Sequence, residues 1–460
     1  MNSFLKKVSL LLTTFSLVAC GGSSLNSVQS NVSTNSNSSA ESINDQIAPT
    51  KELRNPKDLS HDYTKNEINE SGYVAFKDKL RIFSHKISES FVQRYYANGD
   101  NIVISPLSIQ LCLGLAVRCS NGQTRQEILN AFDLEYETFN QYYKLFYNEN
   151  ILSAKSNTGD LEAEQLLTNS IWFDNDVSLK DTGLDALRDD YYCYSFETDF
   201  DKNNSQANKD ITAFIKENTN GILEPDLQLS PSTLFTLINT LYLKDIWNEA
   251  GNDLSEASSS YKFTNSDGSK SNKPLLLGRY ANGRALQTDD YSSFYSDTQN
   301  GYRIYYIKAN ENKDLKPLFN KNTLSYVMDT NNYERVNDEK MEIYETRCLF
   351  PEYTIYSDID LKEMFMQDFQ IKSLFSLQTC DFTNVIESPV YCDTFKQIAK
   401  LEVDKKGIRG AAVTYMAYSG AAYNPYTQVK EDFVVDQEFG LVLTRNGNVL
   451  FSGVVTNIDK

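Results

Sequence analysis

From Phe76 the apolar residues Phe76, Leu80, Phe83, Ile87 and Phe91 recur at steps of three and four, the spacing of a helix with one buried face. The run Asn101-Ile102-Val103-Ile104 reads as a short buried strand. Ser105-Pro106 then opens a second helix, with serine as cap, proline at the first helical position, and Ile109, Cys112, Leu113 and Ala116 facing inward. Thr124 to Glu127 forms a capping-box pattern before Ile128, Leu129 and Phe132. Leu166 to Phe173 predicts a strand, and Asn208 to Glu217 a helix stopped near Asn220-Gly221. Leu234 to Leu243 is nearly all apolar and β-prone, interrupted by Asn239, the pattern of a strand covered on both faces. The last segment alternates around Asn446-Gly447, a two-residue hairpin signal, with strands Phe439–Leu443 and Val449–Val455. Helices dominate the first half and strands the second, without regular alternation. The predicted fold class is therefore α+β, and no internal repeat is visible.

The N-terminus follows a different pattern. Lys6 and Lys7 precede the apolar stretch Val8 to Val18, which is too short to span a bilayer. The stretch ends in Leu17-Val18-Ala19-Cys20, which resembles a bacterial lipobox and implies lipid attachment at Cys20. A Ser/Asn-rich run then continues to about Ser60 and cannot bury apolar surface. The expected organisation is a signal peptide over 1–19, a tether over 20–60 and a folded domain over 61–460. The expected location is outside the cytoplasm, anchored to a membrane by the N-terminal lipid, at the cell surface or in the periplasm.

Composition narrows the chemistry. A hydrophobic content of 40% and a charged content of 23% are those of a globular protein. The net charge of −18 argues against a nucleic-acid partner, which would require clustered Lys and Arg. Only two histidines exist, His61 and His85, and both read as preceding the core. No GxSxG elbow, phosphate-binding glycine loop or HExxH motif occurs. Catalysis, metal binding and a cofactor are accordingly not expected. Six cysteines follow Cys20. Cys112 and Cys119 lie seven apart on one predicted helix, roughly 10 Å along its axis, too far to bridge. Buried free thiols are the preferred reading.

The same segments resemble the serpin family. Asn101 to Ser108 is similar to the serpin segment that enters its second helix, and Asn121-Gly122-Gln123-Thr124 with Glu127-Ile128-Leu129 continues it. Asn169-Ser170-Ile171-Trp172-Phe173 matches a central strand, and Asn218-Thr219-Asn220-Gly221 a family turn. Leu237 to Lys244 with Trp247 matches a further strand. Val403-Asp404-Lys405-Lys406-Gly407 leads into Ala411-Ala412-Val413-Thr414 like a reactive-loop hinge, and Phe433 to Asn457 resembles the closing strands. The resemblance runs from about Phe76 to the end. It implies helices packed on three β-sheets, an exposed reactive-centre loop and no enzymatic activity.

Residue roles follow position by position. Ser105, Ser108 and Asn239 fall at the shutter, a polar cluster beneath the middle of the main sheet, where small hydroxyls and an amide can bond two strand arrangements. Gln397 stands where the family has histidine, so the shutter is expected to lack pH sensitivity. Trp247 falls at the breach, where the loop first inserts. Serpins usually carry an acid at the Lys405 position and a base at the Glu352 position. Both signs are reversed here, and a salt bridge between the two is expected. The hinge residues are Gly407, Ile408, Arg409, Gly410, Ala411, Ala412, Val413 and Thr414. By strand alternation Ile408, Gly410, Ala412 and Thr414 face inward, while Arg409 meets water.

The resemblance implies suicide inhibition of serine, or of cysteine, endopeptidases: the cleaved loop inserts into the sheet while the protease is still acylated. Family spacing puts the scissile bond at Ala421-Ala422. The stretch before Phe433 is longer than usual, so Tyr418, Tyr423 and Tyr426 are alternatives. Small and aromatic residues point to an elastase-, chymotrypsin- or subtilisin-like protease as partner. No Lys or Arg lies between Thr414 and Gln428, which disfavours a trypsin-like one. A monomer is expected. The alternative reading is a non-inhibitory serpin acting as a surface binding module.

Overall fold

The computed structural model describes residues 49–97, 99–155, 161–248, 254–281, 285–333, 344–387, 389–392, 394–409 and 428–459. Cys20, Gly410 to Thr414, Tyr418, Ala421, Ala422, Tyr423 and Tyr426 lie outside the described residues. No helix among the described residues is long and apolar enough to cross a membrane.

Nine α-helices are described: α1 (Lys65–Ile68), α2 (Ser71–Tyr95), α3 (Pro106–Cys119), α4 (Gly122–Phe132), α5 (Tyr136–Glu149), α6 (Asp181–Tyr191), α7 (Asn204–Asn218), α8 (Lys321–Met328) and α9 (Lys362–Asp368). They pack around three sheets, as the sequence predicted for the α+β class. Among the described residues the largest sheet has eight strands. Its main path runs β1 (Lys51–Arg54), β5 (Cys193–Thr198), β4 (Leu161–Asp174), β6 (Phe235–Ile246), β15 (Gly407–Arg409), β14 (Lys396–Val403) and β13 (Tyr353–Asp360), with β3 (Leu152–Lys155) beside β4. A six-stranded sheet runs β2 (Ile102–Ile104), β18 (Asn448–Val455), β17 (Phe439–Arg445), β11 (Tyr302–Ala309), β10 (Tyr291–Asp297) and β9 (Ala285–Gln287). The third sheet joins β16 (Gln428–Val434), β12 (Tyr344–Pro351), β8 (Leu275–Ala281) and β7 (Ser255–Glu256).

Local signals explain much of this. Ser105 caps α3 by accepting from the Ser108 N–H, with Pro106 in the first turn. The β17–β18 hairpin turns through Asn446 and Gly447, both at positive φ (52° and 81°), the geometry of a type I′ turn. The α3 helix is buried around most of its circumference because it lies between the large sheet and β18. On the opposite face of the large sheet α7 covers Trp172 with Ile211 and Ile215 in a separate apolar cluster.

Several expectations are corrected. The folded region starts before residue 61: β1 pairs with β5, and Arg54 bonds Asp185 and Asp181 on α6 at 2.7 Å each. His85 does not precede the core; it lies buried on α2 between Ser325 Oγ (3.0 Å) and Met328 Sδ (3.1 Å). Burial, then the nearby Arg81 and Lys321, push its pKa down to about 4. Thr124 is no helix cap, since α4 already begins at Gly122. Its hydroxyl donates to Thr379 O, and Glu127 receives the N–H groups of Lys372 and Ser373. Strand β6 is not covered on both faces: Phe235 to Asn239 are only half-buried. The six cysteines after Cys20 are free thiols, but Cys112, Cys380 and Cys392 are only partly covered.

Candidate functional site

The site lies where β15 enters the large sheet. Val403 ends β14, and the turn Asp404-Lys405-Lys406-Gly407 leads directly into β15. Asp404 organises that turn. Its N–H donates to Gly407 O (3.0 Å), and its Oδ1 accepts from the N–H of Lys406 (2.7 Å) and of Gly407 (3.2 Å). Its second oxygen receives the Arg409 guanidinium. Arg409 therefore points outward as predicted but is clasped by Asp404 and does not simply meet water. Ile408 faces inward and is fully buried, also as predicted.

On its other edge β15 runs antiparallel to the end of β6, pairing Gly407 with Ile246, Ile408 with Asp245 and Arg409 with Lys244. Gly407 is required by close approach: an added Cβ would lie 2.0 Å from Asp245 O and 2.8 Å from Ile246 Cα. Trp247 closes the corner. Its indole Nε1 donates to Asp404 O (2.8 Å), its backbone N–H to Lys406 O (3.1 Å), and its ring meets Phe350 edge-on at 5.5 Å. Trp247 thus stands at the corner where β15 enters the large sheet. The expected Lys405–Glu352 salt bridge is corrected: Glu352 Oε1 accepts from the backbone N–H of Lys405 (2.9 Å), and among the described residues no ion pair joins their charges. The acceptor is used to finish a turn, which any residue's N–H could do.

Two acids here were not singled out from the sequence. Asp404 opens a Lys-Lys-Gly turn, a position where aspartate's affinity for nearby N–H groups is a usable signal. Asp245 gave no such signal, because its partners are distant. It lies beneath the hinge, 1% exposed, and accepts from the Asn300 backbone (2.8 Å) and side chain (2.9 Å). Burial raises its carboxyl above the ordinary aspartate range, against the opposing pull of bonds from Thr298 and Asn300.

Below β15 the sheet opens into a slot. Strand β6 is paired with β4 from Glu164–Lys244 down to Phe173–Phe235, but toward β14 it has a partner only at Lys244 to Ile246. Strand β14 is paired with β13 along its whole length, yet toward β6 only Glu402 and Val403 have partners. Phe235 to Leu243 and Lys396 to Leu401 thus face one another with no ladder between them among the described residues. Across the outer side of the slot runs the chain after α7. There Ile222, Leu223 and Pro225 enclose a cavity of about 360 Å³ against Tyr356, Ile398 and Lys400.

The predicted shutter residues converge at mid-slot. Gln397 Oε1 accepts from the Ser105 N–H (2.8 Å), and its Nε2 donates to Ser105 O (3.0 Å). On the other wall Ser108 Oγ donates to Asn239 O (3.4 Å), and Asn239 Nδ2 to Asn169 Oδ1 (2.8 Å). Asn169 in turn donates to Tyr191 O (2.8 Å) and Tyr143 Oη (3.2 Å). The two walls are thus tied separately to the start of α3. Among the described residues no cluster of three or more His, Cys, Asp or Glu could hold a metal ion.

Comparison with known proteins accounts for this arrangement. A family model described as Serpin (serine protease inhibitor) matches residues 80–458. The chain is 23% identical over 390 residues to Serpin-Z10 of Arabidopsis thaliana, covering 79% of this chain and 93% of that protein. It is 24% identical over 394 residues to human Neuroserpin, covering 80% and 89%. The fold is similar to the native state of Tengpin, a thermophilic serpin, with a TM-score of 0.67 at 20% identity, covering 83% of this chain and 94% of the other. Serpins are in general protease inhibitors and not enzymes. With its hinge seated between β6 and β14 above an open slot, this chain belongs to the serpin family.

Proposed function

We propose that this serpin is a suicide-type inhibitor of endopeptidases that works by reactive-loop cleavage and insertion. The observation that carries the reading is the slot: β15 already lies between β6 and β14 at one end, and beyond it both walls lack a ladder partner on the side facing the slot, among the described residues. Unpaired backbone groups are costly when covered, so a strand that filled the slot would lower the free energy of the sheet. A loop held at both ends before cleavage, in β15 and in β16 beside β12, would be free to fill it afterwards. The target class we infer is elastase-, chymotrypsin- or subtilisin-like, since residues 410–427 contain no Lys or Arg. Cys20 would tether the inhibitor to a membrane.

The test is incubation with a small panel of such proteases. A covalent complex that resists boiling in detergent is expected, and mass spectrometry of the released fragment would identify the bond cut. Proteases that cut between residues 410 and 427 yet emerge fully active would contradict the proposal. One observation favours the binding-module alternative: the Arg409–Asp404 clasp holds the hinge at its base. Inhibition that appears only in Asp404→Ala would support that second reading.

A further inference from the structure

In the six-stranded sheet, strand register sets polar side chains side by side. Ser292 on β10 pairs with Gln287 on β9 and with Lys308 on β11, so the three residues share one row and one face. That row is the floor of a further cavity, of about 420 Å³, in the size range of small-molecule sites. Phe433 and Val434, at the end of β16, close one side of it. Phe433 is held there against Phe294, with ring centres 5.6 Å apart. The cavity lies away from the large sheet and plays no part in the insertion reading.

The floor has hydrogen-bonding capacity to spare. Ser292 is 7% exposed and lines the cavity, and its hydroxyl has no partner among the described residues. Lys308 Nζ donates to Val434 O (2.6 Å) and to Asp436 Oδ1 (3.1 Å), which uses two of the three hydrogens of an ammonium. The second carboxylate oxygen of Asp436 is left to accept. Asn310 gives one amide hydrogen to Thr288 O (2.8 Å) and carries another. Donors and acceptors are thus interspersed beside one apolar wall.

An occupant of this cavity must donate and accept repeatedly along one edge. A hydrocarbon would leave the Ser292 hydroxyl and the third Lys308 hydrogen unmatched, at a cost of roughly 1–3 kcal/mol for each covered group. Charge narrows the choice further. Lys308 faces the carboxylates of both Asp436 and Glu311, so the lining is net negative and opposes an anion. Neighbours in an antiparallel row stand about 4.5–5.5 Å apart, close to the separation of alternate hydroxyls around a pyranose ring. We infer that this cavity is a binding site for a neutral saccharide. Gln287, Ser292 and Lys308 meet its hydroxyls, Asp436 accepts from it at the rim, and Phe433 packs against its C–H face. A sugar hydroxyl donates and accepts at once, which is what the mixed row requires.

Saturation-transfer NMR on the intact protein tests the site, with the methyl glycosides of glucose, mannose and galactose as probes and methyl glucuronide as the charged counterpart. At least one neutral glycoside should bind, with a dissociation constant of about 1 mM or below, and the glucuronide should bind more weakly than the glucoside. Ser292→Ala removes one neutral hydrogen bond and should weaken binding about fivefold, with the thermal midpoint unchanged. Gln287→Ala, at an exposed position, should also weaken it and keeps the test decisive should Ser292→Ala misfold. The inference is overturned if no neutral glycoside binds, if the glucuronide is preferred, or if binding is the same in both variants as in the unaltered protein. None of these results bears on the protease panel, which decides the inhibitory reading independently.

Discussion

The two ends of the same slot are built in opposite ways. At the breach every strand has a neighbour, Trp247 and Asp404 fasten the turn, and Asp245 ties the β10–β11 loop beneath it. A few residues lower, β6 and β14 have no ladder between them among the described residues, most of their side chains are only half-buried, and an amide oxygen is stranded. Apolar burial stabilises the first region. The second is where free energy remains to be gained, since each covered but unpaired group costs roughly 1–3 kcal/mol. Stability concentrated at the entrance and withheld from the middle is what the proposed insertion of one more strand would require.

The largest effect is expected at Trp247. Trp247→Ala removes a fully buried indole and two fixed contacts. It should destabilise the native fold by about 3–5 kcal/mol in denaturant titration, with early exposure of β15. A loss below about 1 kcal/mol would mean that the breach is not the fastened end.

Acid should act elsewhere. Gln397 carries no group that titrates near neutral pH, whereas His85 on α2 is kept neutral by burial. Its folded pKa of about 4 lies below the ordinary value of 6.5. The unfolded chain therefore binds the proton first, and stability is lost as pH falls from about 6.5 toward 4, by up to roughly 3 kcal/mol. His85→Gln should flatten that slope, while the rate of loop insertion stays constant between about pH 6 and 8. A rate that follows histidine titration would place the sensitivity in the slot after all.

Gly407→Ala should act at the junction of the two regions. Its methyl would collide with the backbone of Asp245 and Ile246, an overpacking cost of about 1–3 kcal/mol. Pairing of β15 should be lost and complex formation slowed, leaving cleavage to dominate. The smallest effects concern Glu352 and Lys405. Glu352→Ala should cost about 0.5–1 kcal/mol through the lost Lys405 N–H bond. Lys405→Ala keeps that N–H and should be neutral, and a double-mutant cycle should give coupling near zero.

Much of this was legible in the sequence. Ser105-Pro106 and Asn446-Gly447 succeed because each encodes its own geometry in adjacent residues. Ser105, Ser108, Asn239 and Gln397 were located through the family resemblance and do converge. The failures share a cause, which is dependence on distant partners. Lys51–Arg54 looks like tether until β5 and α6 are beside it. Thr124 matches a cap pattern but bonds Thr379 and Asp381 instead. The apolar run of β6 suggested two covered faces, yet hydrophobic patterning does not record whether a neighbouring strand is present. The α5 helix was overlooked although Phe139, Tyr142, Tyr143 and Phe146 carry a helical period.

The central claim is that the gap between β6 and β14 receives a strand when the loop is cut. Amide hydrogen exchange across residues 235–243 and 396–401, before and after proteolysis within 410–427, tests it directly. The account predicts slot-facing amides that exchange quickly in the intact protein and at least about a hundredfold more slowly once the loop is cleaved. Unchanged exchange in both strands after complete cleavage would contradict it.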